Sequence, residues 1–248
     1  MSAVPEDIPI ECVEDLIRDL GTVEAATPWF RGQVDNTWPL SPSLLRDGGH
    51  RDHETDMLKR FKQEAAQLVD VSDSSEWNWL SMAQHHGLPT RLLDWTTNPL
   101  VGLFFAVEER EDGRGRAGRL FCLDPIALNE VTFTHGTGIL LLGQDAELDD
   151  YLAGSSNRQG RGPVAVVAQR TFGRISAQAG VFTLSHRADP KSFEDHAPSG
   201  SLRSWIIPAT AKEPIRQQLS AMRVDNATIY ADLDHWAKSI SEEYSSER

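Results

Sequence analysis

At 248 residues with 40% hydrophobic residues, the chain can bury a sizeable core, and no apolar run approaches the roughly 20 residues that span a bilayer. A formal charge of -13 excludes a protein that coats nucleic acid through its phosphates, which requires a basic surface. A local pocket for one small anion needs only one or two well-placed arginines.

The opening MSAVPEDIPIECVEDL is acidic and lacks the basic start and apolar core of a signal peptide. The expected location is therefore cytoplasmic, with no membrane partner. Cys12 and Cys122 lie far apart without metal-ligand spacing, which predicts neither a disulfide nor a metal site.

Residues 10–20 place Ile10, Val13, Leu16, Ile17 and Leu20 at helical spacing, with Gly21 as the stop. ATPWFRGQ reads as a short strand entering a turn at Gly32. The stretch from Ser41 begins as a loop and becomes a long amphipathic helix from His53. A second helix is predicted over Glu76 to His86, broken by Gly87 and Pro89.

TRLLDWT has the composition of a buried strand. NPLVGLFFAVEE follows as a helix, with Asn98 as N-cap and Pro99 at its first position. GRGRAGRLFCLDP supplies a Gly-rich turn and a strand, and GPVAVVAQ and GVFTLS read as two more. Residues 189–200 form a polar loop. SLRSWIIPA is a strand, KEPIRQQLSAM a helix, ATIYA a short strand and DLDHWAKSISEEY a closing helix.

Helices dominate the first half and strands the second, which predicts an α+β fold. The expected architecture is a single domain whose helical N-terminal half packs on a mixed or antiparallel β core. Its boundaries are residues 1–26 for an N-terminal helix or extension, 27–240 for the domain and 241–248 for a tail. No GxGxxG or GxxxxGK[ST] opens a helix after a strand, so a Rossmann or P-loop site has no support.

WFRGQ, MAQHHGLPTRLLDWTTNPLVGLFFAVEE, GRLFCLDP, RISAQAGVFTLS and LDHWAKSI resemble the FRG-domain family of bacteria and phages. The family is named for its Phe-Arg-Gly triplet, here Phe30, Arg31 and Gly32. The resemblance runs from about Thr27 to Ile240 in the family's order.

A more distant resemblance is to arginine-type ADP-ribosyltransferases. WFRG is similar to their first motif, whose Arg binds NAD. LLDWTTNPLVGLFFA is similar to the second, and AQAGVFTL falls where the third carries a catalytic Glu. Gln178 occupies that position here. The resemblance implies an ADP-ribosyltransferase-like fold with NAD as substrate and ADP-ribose passed to a macromolecular acceptor, protein or nucleic acid. It also implies a toxin or phage-defence setting with an antitoxin or defence-system partner. The alternatives are an NAD glycohydrolase using the same site, and a catalytically silent module that binds a nucleotide, nucleic acid or protein.

The candidate catalytic residues are Arg31, Thr96 and Gln178; the candidate NAD-binding residues are Arg31, Gly32, Thr96, His85 and Asp94. A guanidinium presents a rigid fork of donors to a diphosphate or ribose, although a buried Arg can equally pair with a carboxylate of its own fold. Gly32 permits close backbone approach or a positive φ. His85 and His86 are adjacent on a helix and do not face the same way, so at most one reaches a site. Capping of their own helix end is the competing role.

Arg91 and Asp94 are expected to tie their strand to neighbouring elements, with Asp94 the better candidate for ligand contact. Trp95 reads as a platform or as core. Thr96 and Thr97 precede a helix N-terminus, where hydroxyls and backbone N–H groups can hold an anion or simply shape the cap. Gln178 can orient a ribose but cannot supply the negative charge that steadies an oxocarbenium-like centre. Glu54, Glu64 and Asp94 are the carboxylates that could replace it.

Overall fold

The structure is a computed structural model of the chain and describes residues 8–46, 48–68, 75–133, 138–152, 155, 161–168, 181–187, 193–230 and 241. It opens with β1 (Ile8–Pro9), α1 (Val13–Leu20), β2 (Trp29–Gln33), α2 (Ser43–Arg46), α3 (Gly48–Asp52), α4 (Glu54–Ala65) and α5 (Glu76–His85). The middle of the chain supplies β3 (Leu92–Trp95), α6 (Pro99–Val107), β4 (Gly118–Leu123), α7 (Pro125–Thr132) and β5 (Leu140–Leu141). After these come β6 (Val164–Val167), β7 (Val181–Leu184), β8 (Leu202–Ile207), α8 (Lys212–Ala221) and α9 (Asn226–Tyr230). The α+β class is as expected. The expected single β core is instead two mixed sheets, each in its own compact unit.

The first unit comprises Met1–Val4, Pro39–Trp95 and Asp124–Leu202. Its sheet has the order β3-β7-β6-β5, antiparallel except for the parallel β5–β6 pair. Leu92, Val164, Val166, Phe182 and Leu184 of this sheet share a core with Leu80 and Ala83 of α5. Helix α7 starts at an Asp124 N-cap that accepts the amides of Ile126 and Ala127, with Pro125 at the first position. Its fully buried Asn129 accepts from the Ala165 amide at 2.7 Å and donates to the Ala165 carbonyl at 3.0 Å. One side chain thereby supplies β6 with the hydrogen bonds that a neighbouring strand would give.

The second unit comprises Pro5–Trp38, Thr96–Leu123 and Arg203–Arg248. Its sheet has the order β1-β8-β4-β2, with β1 parallel to β8 and β2 antiparallel to β4. Val13 and Leu16 of α1 join Phe30, Leu103, Leu120, Trp205, Ile215 and Leu219 in its core. Trp205 buries its ring completely and donates its indole N–H to Asp19 at 2.5 Å.

Three local expectations are corrected. Strand β2 runs through Gly32 to Gln33 instead of turning at the glycine. ATIYA was expected as a strand, but its first four residues, Ala227 to Tyr230, lie in α9, because Asp225 and Thr228 cap each other: the Thr228 amide donates to Asp225 Oδ1 at 3.0 Å and the Asp225 amide to Thr228 Oγ1 at 3.1 Å. This reciprocal cap outweighs the β-branched composition. Helices α2, α3 and α7 and strands β1 and β5 were not expected. The closing helix of DLDHWAKSISEEY lies almost wholly outside the described residues. Among the described residues no helix is long and apolar enough to cross a membrane.

Candidate functional site

The Phe-Arg-Gly triplet is the centre of β2. Antiparallel pairing sets Phe30 opposite Cys122, Arg31 opposite Phe121, Gly32 opposite Leu120 and Gln33 opposite Arg119. Side chains alternate along a strand, and directly opposed residues share a face. Phe30, Gly32, Leu120 and Cys122 therefore form one face, and Arg31, Gln33, Arg119 and Phe121 the other.

Helix α6 covers the first face at very short range. A Cβ on Gly32 would stand 2.1 Å from the Gly102 carbonyl oxygen and 2.3 Å from the Ala106 nitrogen. A Cβ on Gly102 would in turn meet Phe30 Cβ at 2.8 Å. Close approach, not a positive φ, is what Gly32 provides.

The second face collects the polar groups. Arg31 and Arg119 are half-buried, and Gln33 is buried. The Arg119 guanidinium carbon lies over the Phe121 ring, 5.7 Å from its centre, within the range of a cation–π attraction. Two guanidinium forks and an amide on one rigid ladder are a donor set suited to the paired oxygens of a phosphate or diphosphate.

Thr96 meets this strand through its backbone. The Phe30 amide donates to the Thr96 carbonyl at 2.7 Å, and the Thr96 amide donates back to the Phe30 carbonyl at 2.8 Å. Opposed residues share a face, so the Thr96 side chain belongs with Phe30 and not with Arg31. Its hydroxyl accepts the Asn98 amide at 3.1 Å, and Asn98 Oδ1 accepts the Leu100 amide at 2.9 Å, with Pro99 at the first helical position. Thr96 thus shapes the entry to α6, and Thr97 beside it is exposed.

Beyond Gln33 the strand ends in a buried charged cluster. Asp35 Oδ1 accepts the Thr37 hydroxyl at 2.7 Å and the Thr37 amide at 2.9 Å, while Oδ2 lies 3.8 Å from Arg116 Nε. The Thr37 hydroxyl, then its amide, hold the Asp35 carboxyl below its ordinary range. Lys212, the first residue of α8, is buried and donates from Nζ to the Val34 carbonyl at 2.5 Å. Burial pushes its ammonium below the usual lysine range, Arg216 adds to the depression, and Asp35 opposes it. The sequence reading missed Asp35 and Lys212. The available signal was a cation at the first position of a helix, where the dipole disfavours it.

The remaining candidates belong to the first unit. Arg91 is buried and bonded through Nε to Glu54 Oε1 at 2.5 Å and through Nη1 to the Ser185 carbonyl at 3.1 Å. It joins α4 and β7 to β3, the tying role expected of it, and places Glu54 inside an ion pair. Glu64 sits on the surface of α4, 2.8 Å from Arg60. Asp94 is exposed although its strand neighbours are buried. Gln84 donates to it at 2.8 Å and accepts the Thr90 hydroxyl at 2.5 Å.

His85 and His86 are both exposed, with ring centroids 5.1 Å apart and edge-on. Trp95 is buried and donates its indole N–H to Thr183 at 3.0 Å. Arg31, Gly32 and the Thr96 backbone are therefore brought together in one unit, whereas His85 and Asp94 lie in the other. Gln178 is outside the described residues.

Residues 26–114 match the family model of the FRG domain. That stretch runs from β2 through α6 to the turn before β4 and ends well before Ile240. No curated protein and no solved structure matches the chain, so the likeness to ADP-ribosyltransferases rests on the sequence motifs.

Proposed function

We propose that this chain, which belongs to the FRG-domain family through residues 26–114, binds NAD as a substrate on the polar face of β2 and transfers ADP-ribose to a macromolecule. The observation that carries this reading is the gathering of Arg31, Arg119 and Gln33 on one face of the β2–β4 ladder, opposite the face taken by α6. On this reading the two guanidinium groups hold the diphosphate. The bond from ribose C1′ to nicotinamide breaks, nicotinamide leaves with the bonding pair, and an acceptor nucleophile takes its place and gives up a proton. What the β2 face supplies is binding and orientation of the ADP-ribosyl half that is transferred, so that C1′ is presented to the acceptor. The proposed setting is a toxin-like or phage-defence effector acting with an antitoxin or defence-system partner.

A second reading, a catalytically silent binding module, is favoured by two particulars. The Thr96 hydroxyl is engaged in the α6 cap, and the third motif carries the amide Gln178 in place of a carboxylate. Calorimetry with NAD tests the shared premise. Wild type is expected to bind, and removing one charge-assisted partner in Arg31→Ala or Arg119→Ala to cost about 1.5–3 kcal/mol. A folded wild type that takes up no NAD ends the transferase reading and leaves a silent module for another partner. Binding without nicotinamide release, with cell lysate as acceptor source, selects the silent module.

A further inference from the structure

Lys212 is an expensive residue to keep where it stands. Its side chain is withdrawn from water, it opens helix α8, and the helix dipole there repels a cation. Methionine would fill the same volume without either penalty. What lysine adds is one contact, the 2.5 Å hydrogen bond from Nζ to the carbonyl of Val34. Val34 is the residue immediately after β2, and Asp35 follows it with its carboxylate fixed by Thr37.

The same strand end is gripped from its other side. The Asn36 amide donates to the Ala117 carbonyl at 2.8 Å, and a Cβ on Gly113 would stand 2.5 Å from Val34 Cγ2. The charged surroundings of Nζ are few. Asp35 faces it from the strand end and Arg216 from α8, where Arg216 is ion-paired with Glu213. Arg116 reaches Asp35 from the loop before β4. Helix α6 carries no ionisable side chain, and α1 meets α8 at Val13 and Gln218, with Glu14 and Asp15 turned to Arg18.

We propose that Lys212 is a positioning residue for the β2 face: its ammonium, clamped on the Val34 carbonyl beside the Asp35 carboxylate, fixes the strand end from which Arg31 and Gln33 project. The binding arm of this inference rests on reading that face as the NAD site; the ligand-free arm does not.

Two opposite pH trends follow. The charged form of Lys212 is disfavoured in the folded state, so between its folded value and the ordinary lysine value the unfolded chain holds more protons. Stability therefore rises with pH across that window. Ligand affinity falls across the same window, because a neutral amine grips the carbonyl and balances Asp35 less well. The stability trend follows from burial of the amine alone; the loss of affinity is the trend that requires Lys212 to position the β2 face.

The experiment uses the full chain as wild type, Lys212→Met and Lys212→Arg. The ligand-free readouts are amide hydrogen exchange at Gly32 to Asp35 and urea stability against pH. The binding readout is NAD calorimetry over the same pH range. Lys212→Met is expected to speed exchange at these four amides, to abolish the alkaline rise in stability and to weaken NAD binding by roughly three- to tenfold at neutral pH. Lys212→Arg, which stays charged, is expected to restore slow exchange and to bind NAD without an alkaline loss. Unchanged exchange and an unchanged pH profile in folded Lys212→Met overturn the proposal, as does Lys212→Arg behaving like Lys212→Met. If Lys212→Met fails to fold, Lys212→Arg decides by whether its exchange matches wild type. A wild type that does not bind NAD defeats the function proposed above, while the exchange and stability data still decide Lys212.

Discussion

Arg91 and Glu54 form an ion pair of 2.5 Å whose side chains are 2% and 4% exposed. The Arg91 guanidinium also donates to the Ser185 carbonyl, so one side chain links the start of α4, the approach to β3 and the end of β7. Taking both charges out of water is costly, and the pair is tolerated because the opposite charges offset each other, although Glu54 Oε2 has no hydrogen-bond partner among the described residues. Arg91→Ala leaves a buried carboxylate with no counter-charge and is expected to lose about 3–5 kcal/mol of stability in urea unfolding. The double variant Arg91→Met, Glu54→Leu removes both charges and is expected to regain most of that loss. A double variant as unstable as the single one would show that the two residues do not act as a unit.

The glycine of the Phe-Arg-Gly triplet gives a sharper contrast. The three atoms nearest to a Cβ on Gly32 all belong to the backbone of α6, the closest at 2.1 Å, so relief would require the helix itself to move. Gly32→Ala is expected to cost about 3 kcal/mol or more, the severe end of overpacking. Gly115 sits in a turn with φ of 71° and nothing within 4 Å of a Cβ. Gly115→Ala is expected to cost only about 1 kcal/mol, the price of a left-handed conformation. Equal losses at the two positions in thermal or urea unfolding would rule out close helix–strand approach as the reason for Gly32.

Arg91 was expected to tie its strand to a neighbour, but Glu54 was read only as a candidate catalytic carboxylate, so their pairing was not visible in the sequence; the Gly32 relationship partly was. Gly32 beside an aromatic and an arginine suggested close backbone approach, and Asn98-Pro99 announced α6 with its correct cap. The start of α7 carries the same kind of signal, Asp124-Pro125, and was read only as the end of a strand. The Asp225 to Thr228 cap was hidden for a different reason: reciprocal side-chain capping depends on spacing, while the intervening residues have strand-like composition. The division into two sheets was not legible, because β3 pairs with a strand about ninety residues away and β2 with one about ninety residues away, and local periodicity carries no partner information. Register decided the site as well. Arg31 and Thr96 converge in the backbone, but alternation puts their side chains on opposite faces, which can be known only once Phe30 is seen opposite Thr96.

That register makes Thr96 testable as a cap. Thr96→Val keeps the shape and loses the acceptor for the Asn98 amide. It is expected to destabilise by about 0.5–1.5 kcal/mol, the net worth of an ordinary hydrogen bond, with NAD affinity unchanged. A folded Thr96→Val with wild-type stability and much weaker NAD binding would instead assign the hydroxyl to the ligand.

On the proposed function, the test that separates an enzyme from a silent module turns on Gln178, the residue that the sequence resemblance sets at the position of the transferases' catalytic Glu. An amide can orient the ribose but leaves the forming cation without a counter-charge. Gln178→Glu places that charge with almost no change in size. In a preorganised site of low dielectric, one such electrostatic partner is worth several kcal/mol, about 2.7–4 where a single oxyanion-hole donor has been removed from an enzyme. Nicotinamide release from NAD is therefore expected to be faster in Gln178→Glu than in wild type. Arg31→Ala should silence both backgrounds, because the substrate is then no longer held. A Gln178→Glu protein that folds, binds NAD and releases nicotinamide at the wild-type rate removes Gln178 from the carboxylate position. Glu54 cannot take its place, because it is already committed to the buried pair with Arg91.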